Sequence, residues 1–279
     1  MNIFKKNLKE IFFYYFYNIS RKIRIIFKLD QAVIVDKYKL VLPPEHLLSL
    51  YNNKKIATYR DYDNFLPNFI KDKNGLTILD IGANVGDTLV RMLSANKDHK
   101  YYCIEADNFF FKYLKKNNDE IIKNDPKIHI SIIKELVGNE ISGYFQIRRG
   151  TTGSIIDKPS QNNQKINSKK LDDIIYENKI ENISLIKVDT DGFDVSVLSS
   201  GYGTIKNYKP FLFFEYMKKD TNHLNEYLNF INKLQQLDYK EFIVLDSHGK
   251  TILKTRNIDE VNFTLSSANN IDIFCSVKK

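Results

Sequence analysis

Four apolar runs in this 279-residue chain end on residues that could do chemistry. Thr77-Ile-Leu runs into Asp80-Ile-Gly-Ala-Asn-Val-Gly-Asp87, Tyr101-Tyr-Cys-Ile closes on Glu105, Ile183 to Val188 is followed by Asp189, Asp191 and Asp194, and Phe211 to Phe214 closes on Glu215. The first stretch reads as a buried strand, a glycine turn and an amphipathic helix carrying Leu89, Val90 and Leu93. Gly82 and Gly86 let the backbone approach a bound molecule, and Asp87 or Thr88 begins the helix. In an open parallel sheet, ligands bind beyond the carboxyl ends of the strands, so this turn and Glu105 face one crevice. A carboxylate ending the second strand is the usual partner of ribose hydroxyls, which makes the expected ligand a nucleoside.

The turn also says which nucleoside. A dinucleotide fingerprint needs Gly-x-Gly-x-x-Gly, with pyrophosphate on the helix start. Here the pattern is Asp-x-Gly-x-Asn-x-Gly-Asp. Asp80 attracts a cation and Asp87 repels phosphate, so a cationic nucleoside without phosphates fits, and S-adenosylmethionine is one. The expected cofactor-binding set is Asp80, Gly82, Asn84, Gly86, Asp87 and Thr88 around the methionine part, Glu105 on the ribose, Glu135 accepting from the adenine amine, and Asp189 near the sulfonium. An ordinary solvated loop glutamate is the other reading of Glu135.

Asp189, Asp191 and Glu215 are the candidate catalytic residues. An unactivated sugar hydroxyl titrates far above neutrality, so a carboxylate must take its proton, or two carboxylates must hold a divalent cation that acidifies it. No ligand spacing here is diagnostic of a metal, and none is assigned. Alternatively, Asp191 to Asp194 merely begin the next helix, where acids suit the dipole. His223 and His248 read as a helix-start and a turn residue.

Taken together, Asp80-Ile-Gly-Ala-Asn-Val-Gly-Asp87, Leu171-Asp-Asp-Ile-Ile175, Ile186-Lys-Val-Asp-Thr-Asp-Gly-Phe-Asp194 with Val197-Leu-Ser-Ser-Gly201, and Pro210-Phe-Leu-Phe-Phe-Glu215 resemble the FkbM family of S-adenosylmethionine-dependent methyltransferases. The resemblance covers roughly Leu40 to Val277. It departs at Asp191 and Asp194, where the family more often has Glu. It implies O-methylation of a sugar, glycan or other small hydroxylated metabolite, and it places the Gly150-Thr-Thr-Gly-Ser154 loop near the active site.

The elements that must position these residues form an α/β fold, a Rossmann-like seven-stranded, mostly parallel sheet with helices on both faces. Residues 1–30 are expected to be a basic aromatic helix, 31–75 a cap of a hairpin and helices, and 76–279 the cofactor-binding domain. Further strands fall at Lys127 to Lys134, Lys240 to Leu245, Thr251 to Leu253 and Ile271 to Val277, the last antiparallel beside the Phe211 strand. Gly150 to Ser154 and Lys158 to Lys170 are the polar loops. Cys103 and Cys275 lie in strands several steps of about 4.8 Å apart, beyond disulfide reach, which suits a reducing, cytoplasmic compartment.

At 43% apolar residues the chain can bury a full core, and its net charge is +8. The first thirty residues hold Lys5, Lys6, Lys9, Arg21, Lys22, Arg24 and Lys28 against Glu10 and Asp30, five of those eight charges. The remainder therefore lacks the basic face that nucleic acid requires. The uncharged run Ile11 to Ser20 is half of a membrane span. It reads either as a helix lying on an anionic bilayer, peripheral at the inner face of the membrane, or as a helix packed on the domain or a partner subunit. Two other functions stay open. A methyltransferase acting on RNA or protein would show a basic surface beside Asp189, and a non-catalytic nucleoside-binding module would bind the cofactor without transferring a methyl.

Overall fold

The structure is a computed structural model that describes residues 8–52, 64–148, 152–156 and 165–277. The chain opens with helix α1 (Leu8–Phe27) and a hairpin of β1 (Gln31–Val35) and β2 (Tyr38–Leu42). Val35 faces Tyr38 across a two-residue turn whose first member, Asp36, has φ 51°, the left-handed geometry that matches strand twist. Short helices α2 (Leu48–Tyr51) and α3 (Phe65–Ile70) lead to β3 (Thr77–Ile81), all five residues of which are buried. A strand hydrophobic on both faces must lie inside a sheet covered on both sides.

The next units are α4 (Asp87–Ala95), β4 (Lys100–Ile104), α5 (Asn108–Asn124) and β5 (His129–Ile133). Asp107 caps α5, accepting from the backbone N–H of Phe109 and Phe110. A side sheet follows, formed by β6 (Ser142–Arg148), β7 (Thr152–Ile156) and β8 (Lys165–Asn167) in the order β7-β6-β8. The stretch expected as polar loops is thus partly paired strand, since β7 and β8 both hydrogen-bond to β6. Gly150, Thr151 and Lys158 to Gln164 lie outside the described residues.

The chain re-enters the core through α6 (Leu171–Glu177), β9 (Ile183–Val188), α7 (Asp194–Ser200), α8 (Tyr202–Tyr208) and β10 (Phe211–Met217). It closes with α9 (Thr221–Gln236), β11 (Tyr239–Asp246), β12 (Thr251–Thr255), α10 (Ile258–Ser267) and β13 (Asn270–Val277). The main sheet runs β12-β11-β13-β10-β9-β3-β4-β5. From β10 to β5 every pairing is parallel, and β13 inserts antiparallel between β10 and β11. The count is eight rather than the expected seven, because the hairpin return β12 pairs along β11 and becomes an edge strand. Cys103 and Cys275 are buried and free, with β3, β9 and β10 between their strands.

Two apolar cores cover the two sheet faces. After β5 the chain moves to the other side of β3, so strand order reverses between β3 and β9 and a crevice opens at their carboxyl ends. Asn117 of α5 ties this region together. Its Nδ2 donates to the carbonyls of Val41 (3.0 Å) and Val85 (2.9 Å), and its Oδ1 accepts from the Val41 N–H at 2.8 Å. Asn117→Leu would leave those backbone groups without partners in a dry interior. The expected loss is about 3 kcal/mol of unfolding free energy, read from the urea midpoint.

Candidate functional site

Beyond the ends of β3, β4 and β9 lies a cleft of about 670 Å³, lined in part by Gly82, Asn84, Glu105, Phe110, Glu135, Leu136, Asp189, Asp191 and Phe193. Its wall is mainly apolar with a few convergent polar groups, the make-up of a small-molecule site. The turn that forms its floor has almost no slack. Gly82 has φ 81°, and a Cβ there would lie 1.9 Å from the Asp189 carbonyl oxygen. Any side chain would push β3 and β9 apart at the point where ligand sits. Asn84 also takes a left-handed φ, 50°, which turns its N–H toward Glu105.

Glu105 is 8% exposed and takes two backbone hydrogen bonds, from Asn84 at 2.8 Å and from Asp107 at 2.8 Å. These bonds fix both carboxylate oxygens at the cleft edge and tie the glycine turn to the start of α5. Burial pushes the carboxyl up to about 7 despite these bonds.

Asp80 departs from the expectation. It does meet a cation, but that cation is Lys187, its register neighbour on β9, with Nζ 2.9 Å from Oδ1. Asp80 is 1% exposed and lies beneath the turn, in the wall of neither this cleft nor the volume beside it. Its Oδ2 accepts no hydrogen bond among the described residues. Lys187 is 3% exposed and also stands 3.6 Å from Asp189 Oδ2. Burial alone would lower its ammonium, but Asp80, Asp189 and Asp87 together outweigh this and hold it above the ordinary lysine value.

A second volume of about 610 Å³ shares Gly82, Asn84, Asp189 and Asp191 with the first and adds His46, Tyr51, Asp87, Thr88 and Lys187. Gly86 is the N-cap of α4 at φ 90°, so Asp87 and Thr88 open the helix facing this second volume. His46 Nδ1 accepts from the Leu48 N–H, which leaves Nε2 to donate to Asn84 Oδ1 at 3.2 Å. The cap thus reaches the cofactor turn through one imidazole.

The acidic loop after β9 is held from behind. Asp194 is fully buried; its Oδ1 accepts from the Thr190 N–H and hydroxyl, and its Oδ2 from the Glu215 N–H. It is a positioning residue, not a cleft residue. Asp191 takes φ 52° and lines both volumes. Lys219 Nζ and His223 Nε2 both donate to the Gly192 carbonyl, at 2.9 and 3.1 Å. His223 therefore fixes this loop, while Asp220 caps its helix. Glu215 lies inside β10, which runs two residues past the expected end to Met217; it is half-buried beside this group and is not in the wall of either volume. Its Oε1 accepts from Asn270 at 2.8 Å, and burial with the charges of Asp189 and Asp194 pushes its carboxyl up to about 8.

Sequence reasoning missed Lys187, His46 and Asp272. A lysine inside the apolar run Ile183 to Val188 was the available signal, since lysine is almost never buried unless paired. Asp272 is 2% exposed on β13, in register with Glu215, and burial drives its carboxyl well above the ordinary range. Glu105 at about 7 and Glu215 at about 8 keep protons in the folded chain that the unfolded chain has lost above about pH 4.3. With more protons bound in the native state, the ligand-free chain should lose stability as pH rises from about 5 to about 8, seen as a falling urea midpoint.

S-adenosylmethionine fits this donor set. The cleft's apolar wall could take a flat base, the Glu105 carboxylate could accept from a ribose, the bare Gly82 backbone leaves room for a chain to run over it, and the carboxylates of Asp189 and Asp191 would suit a cation. Comparison with solved structures finds the methyltransferase FkbM of Methylobacillus flagellatus, 16% identical, with TM-score 0.51 over 82% of this chain and 53% of that one. The chain thus spans about half the length of that protein. It is also similar to an O-methyltransferase from Bacillus cereus in complex with S-adenosylhomocysteine, at 11% identity and TM-score 0.48 over 77% and 80% of the two chains. Among curated proteins none matches in sequence. The profile of the methyltransferase FkbM domain matches residues 80–241, more than half of the sequence and all of the strand ends that build the cleft, and the chain belongs to the FkbM family of S-adenosylmethionine-dependent methyltransferases.

Proposed function

We propose that the chain methylates a hydroxyl of a sugar, glycan or other small hydroxylated metabolite. The observation that carries this is the second volume beside the nucleoside cleft, whose wall mixes imidazole, phenol, hydroxyl, ammonium and carboxylate groups. Such a wall suits several hydroxyls at once. Its carboxylates, Asp87, Asp189 and Asp191, disfavour a phosphodiester, which argues against RNA.

Bound S-adenosylmethionine supplies an electrophilic methyl on a cationic sulfonium. Glu105 would hold the ribose, Glu135 the base, and Asp189 the region of positive charge. Asp191 and Thr88, which line the second volume, orient the acceptor hydroxyl, and its proton passes to Asp191 and from there to Glu215, which stands behind that wall close enough to feel the charges of Asp189 and Asp191. Raised to about 8, the Glu215 carboxyl titrates near neutral pH, where a general base is effective. Positioning of the two reactants supplies much of the rate.

Calorimetric titration with S-adenosylhomocysteine, with NAD as control, is expected to show binding near about micromolar for the former alone, weakened about tenfold or more by Glu105→Ala. Preference for NAD would overturn the assignment. With labelled methyl donor and a panel of glycan acceptors, Glu215→Gln should lower turnover about hundredfold or more while S-adenosylhomocysteine affinity stays unchanged. Wild-type turnover should rise with pH through about 8, and that rise should vanish in the variant. Methyl transfer that is indifferent to Glu215 would remove it from the mechanism.

A further inference from the structure

Helix α1 is built with two unlike faces. Tyr17, Arg21 and Arg24 point inward and grip the loop before α2: the Tyr17 hydroxyl donates to the His46 carbonyl, Arg21 Nε to that of Glu45 at 2.9 Å, and Arg24 Nε to that of Pro44. The opposite face carries Phe12, Tyr15, Phe16, Ile19, Ile23, Ile26 and Phe27, all exposed, from 40% at Ile19 to 72% at Ile26. Their spacing of three and four places them in one stripe along the helix. A stripe of that length, rich in aromatic side chains and left in water, marks a surface that something covers.

Charge says what covers it. From Ile11 to Leu29 the sequence contains no acidic residue, while Lys22 and Lys28 are exposed beside and just beyond the stripe. We propose that α1 lies in the plane of an anionic lipid bilayer, with the stripe among the upper acyl chains and the lysines at the headgroups. The helix lies on the surface and does not cross it, since no described helix is long and apolar enough to span. A second copy of α1 is the competing occupant, because Phe12, Phe16, Ile19, Ile23 and Ile26 also follow heptad spacing. A pair of these helices would have no carboxylate to set against Lys22 on either side of the seam, whereas an anionic bilayer supplies that charge. The stripe faces away from the loop that brings His46 to Asn84, so lipid contact leaves the grip on the cleft's cap intact. This assignment does not depend on the reaction.

Co-sedimentation tests it with the full chain and two sets of vesicles, phosphatidylcholine alone and phosphatidylcholine with about one third phosphatidylglycerol. The wild type should bind the anionic vesicles, bind the neutral ones at least about tenfold more weakly, and lose most of that preference in about 1 M salt. Phe16→Asp with Ile23→Asp should abolish binding to both. Lys22→Glu with Lys28→Glu, which leaves every apolar side chain in place, should remove the anionic preference alone. S-adenosylhomocysteine affinity of each variant, unchanged from wild type, shows that the domain has folded. Absence of wild-type binding to anionic vesicles would overturn the proposal. So would a wild-type dimer by light scattering that Phe16→Asp with Ile23→Asp turns into a monomer, which would give the stripe to a second copy.

Discussion

The site rests on one ion pair in the dry centre of the sheet. Asp80 and Lys187 are register neighbours on β3 and β9, both almost fully enclosed, and their charges meet at 2.9 Å. Removing either partner would strand a charge where desolvation costs several kcal/mol, so the two strand ends are held in one register. That register carries the glycine turn and Asp189 on top of it. The contact between them leaves no room for a Cβ on Gly82, so the ion pair below and the bare backbone above act as one clamp. Lys187 reaches past the clamp to Asp189, which gives the otherwise acidic loop a fixed positive neighbour.

Around this clamp the protein spends side chains on holding backbone. Asp194, Lys219 and His223 all bind main-chain groups of the acidic loop or the adjoining strand, and Asn117 does the same for the hairpin and the glycine turn. The candidate base Glu215 depends on that scaffolding twice. Asp194 accepts from its N–H, and burial, helped by the charges of Asp189 and Asp194, raises its carboxyl toward neutrality. A loop with two left-handed residues, Asp191 and Gly192, would otherwise find many conformations; here every turn is tied to something buried.

The sequence carried the local parts of this design. The spacing of Gly82 and Gly86 between an apolar run and an amphipathic one set the strand, turn and helix, because each depends only on neighbours a few residues away. β9 falls on the run read from the sequence, and the strand ending at Glu105 and the last strand beside β10 lie within a residue or two of it. β12 was legible as a hairpin return but not as an eighth strand of the main sheet, since edge pairing is decided by which neighbour is left open. The side sheet of β6, β7 and β8 was not legible at all. β8 has only three residues, β6 and β7 mix polar and apolar side chains, and which of them pair is set by contacts across the intervening chain.

What tertiary structure alone decided is which charges meet. By itself the sequence determined that carboxylates stand at strand ends around a glycine turn, which names a nucleoside cleft, and the same motifs point to the family. Asp80 pairs with a lysine more than a hundred residues away because strand order places β9 beside β3, and the alternation of the two strands turns both side chains to one face. For the same reason Asp194 became a support behind the acidic loop. Burial and long-range register set how each carboxylate is solvated and paired, and neither quantity is written in local spacing.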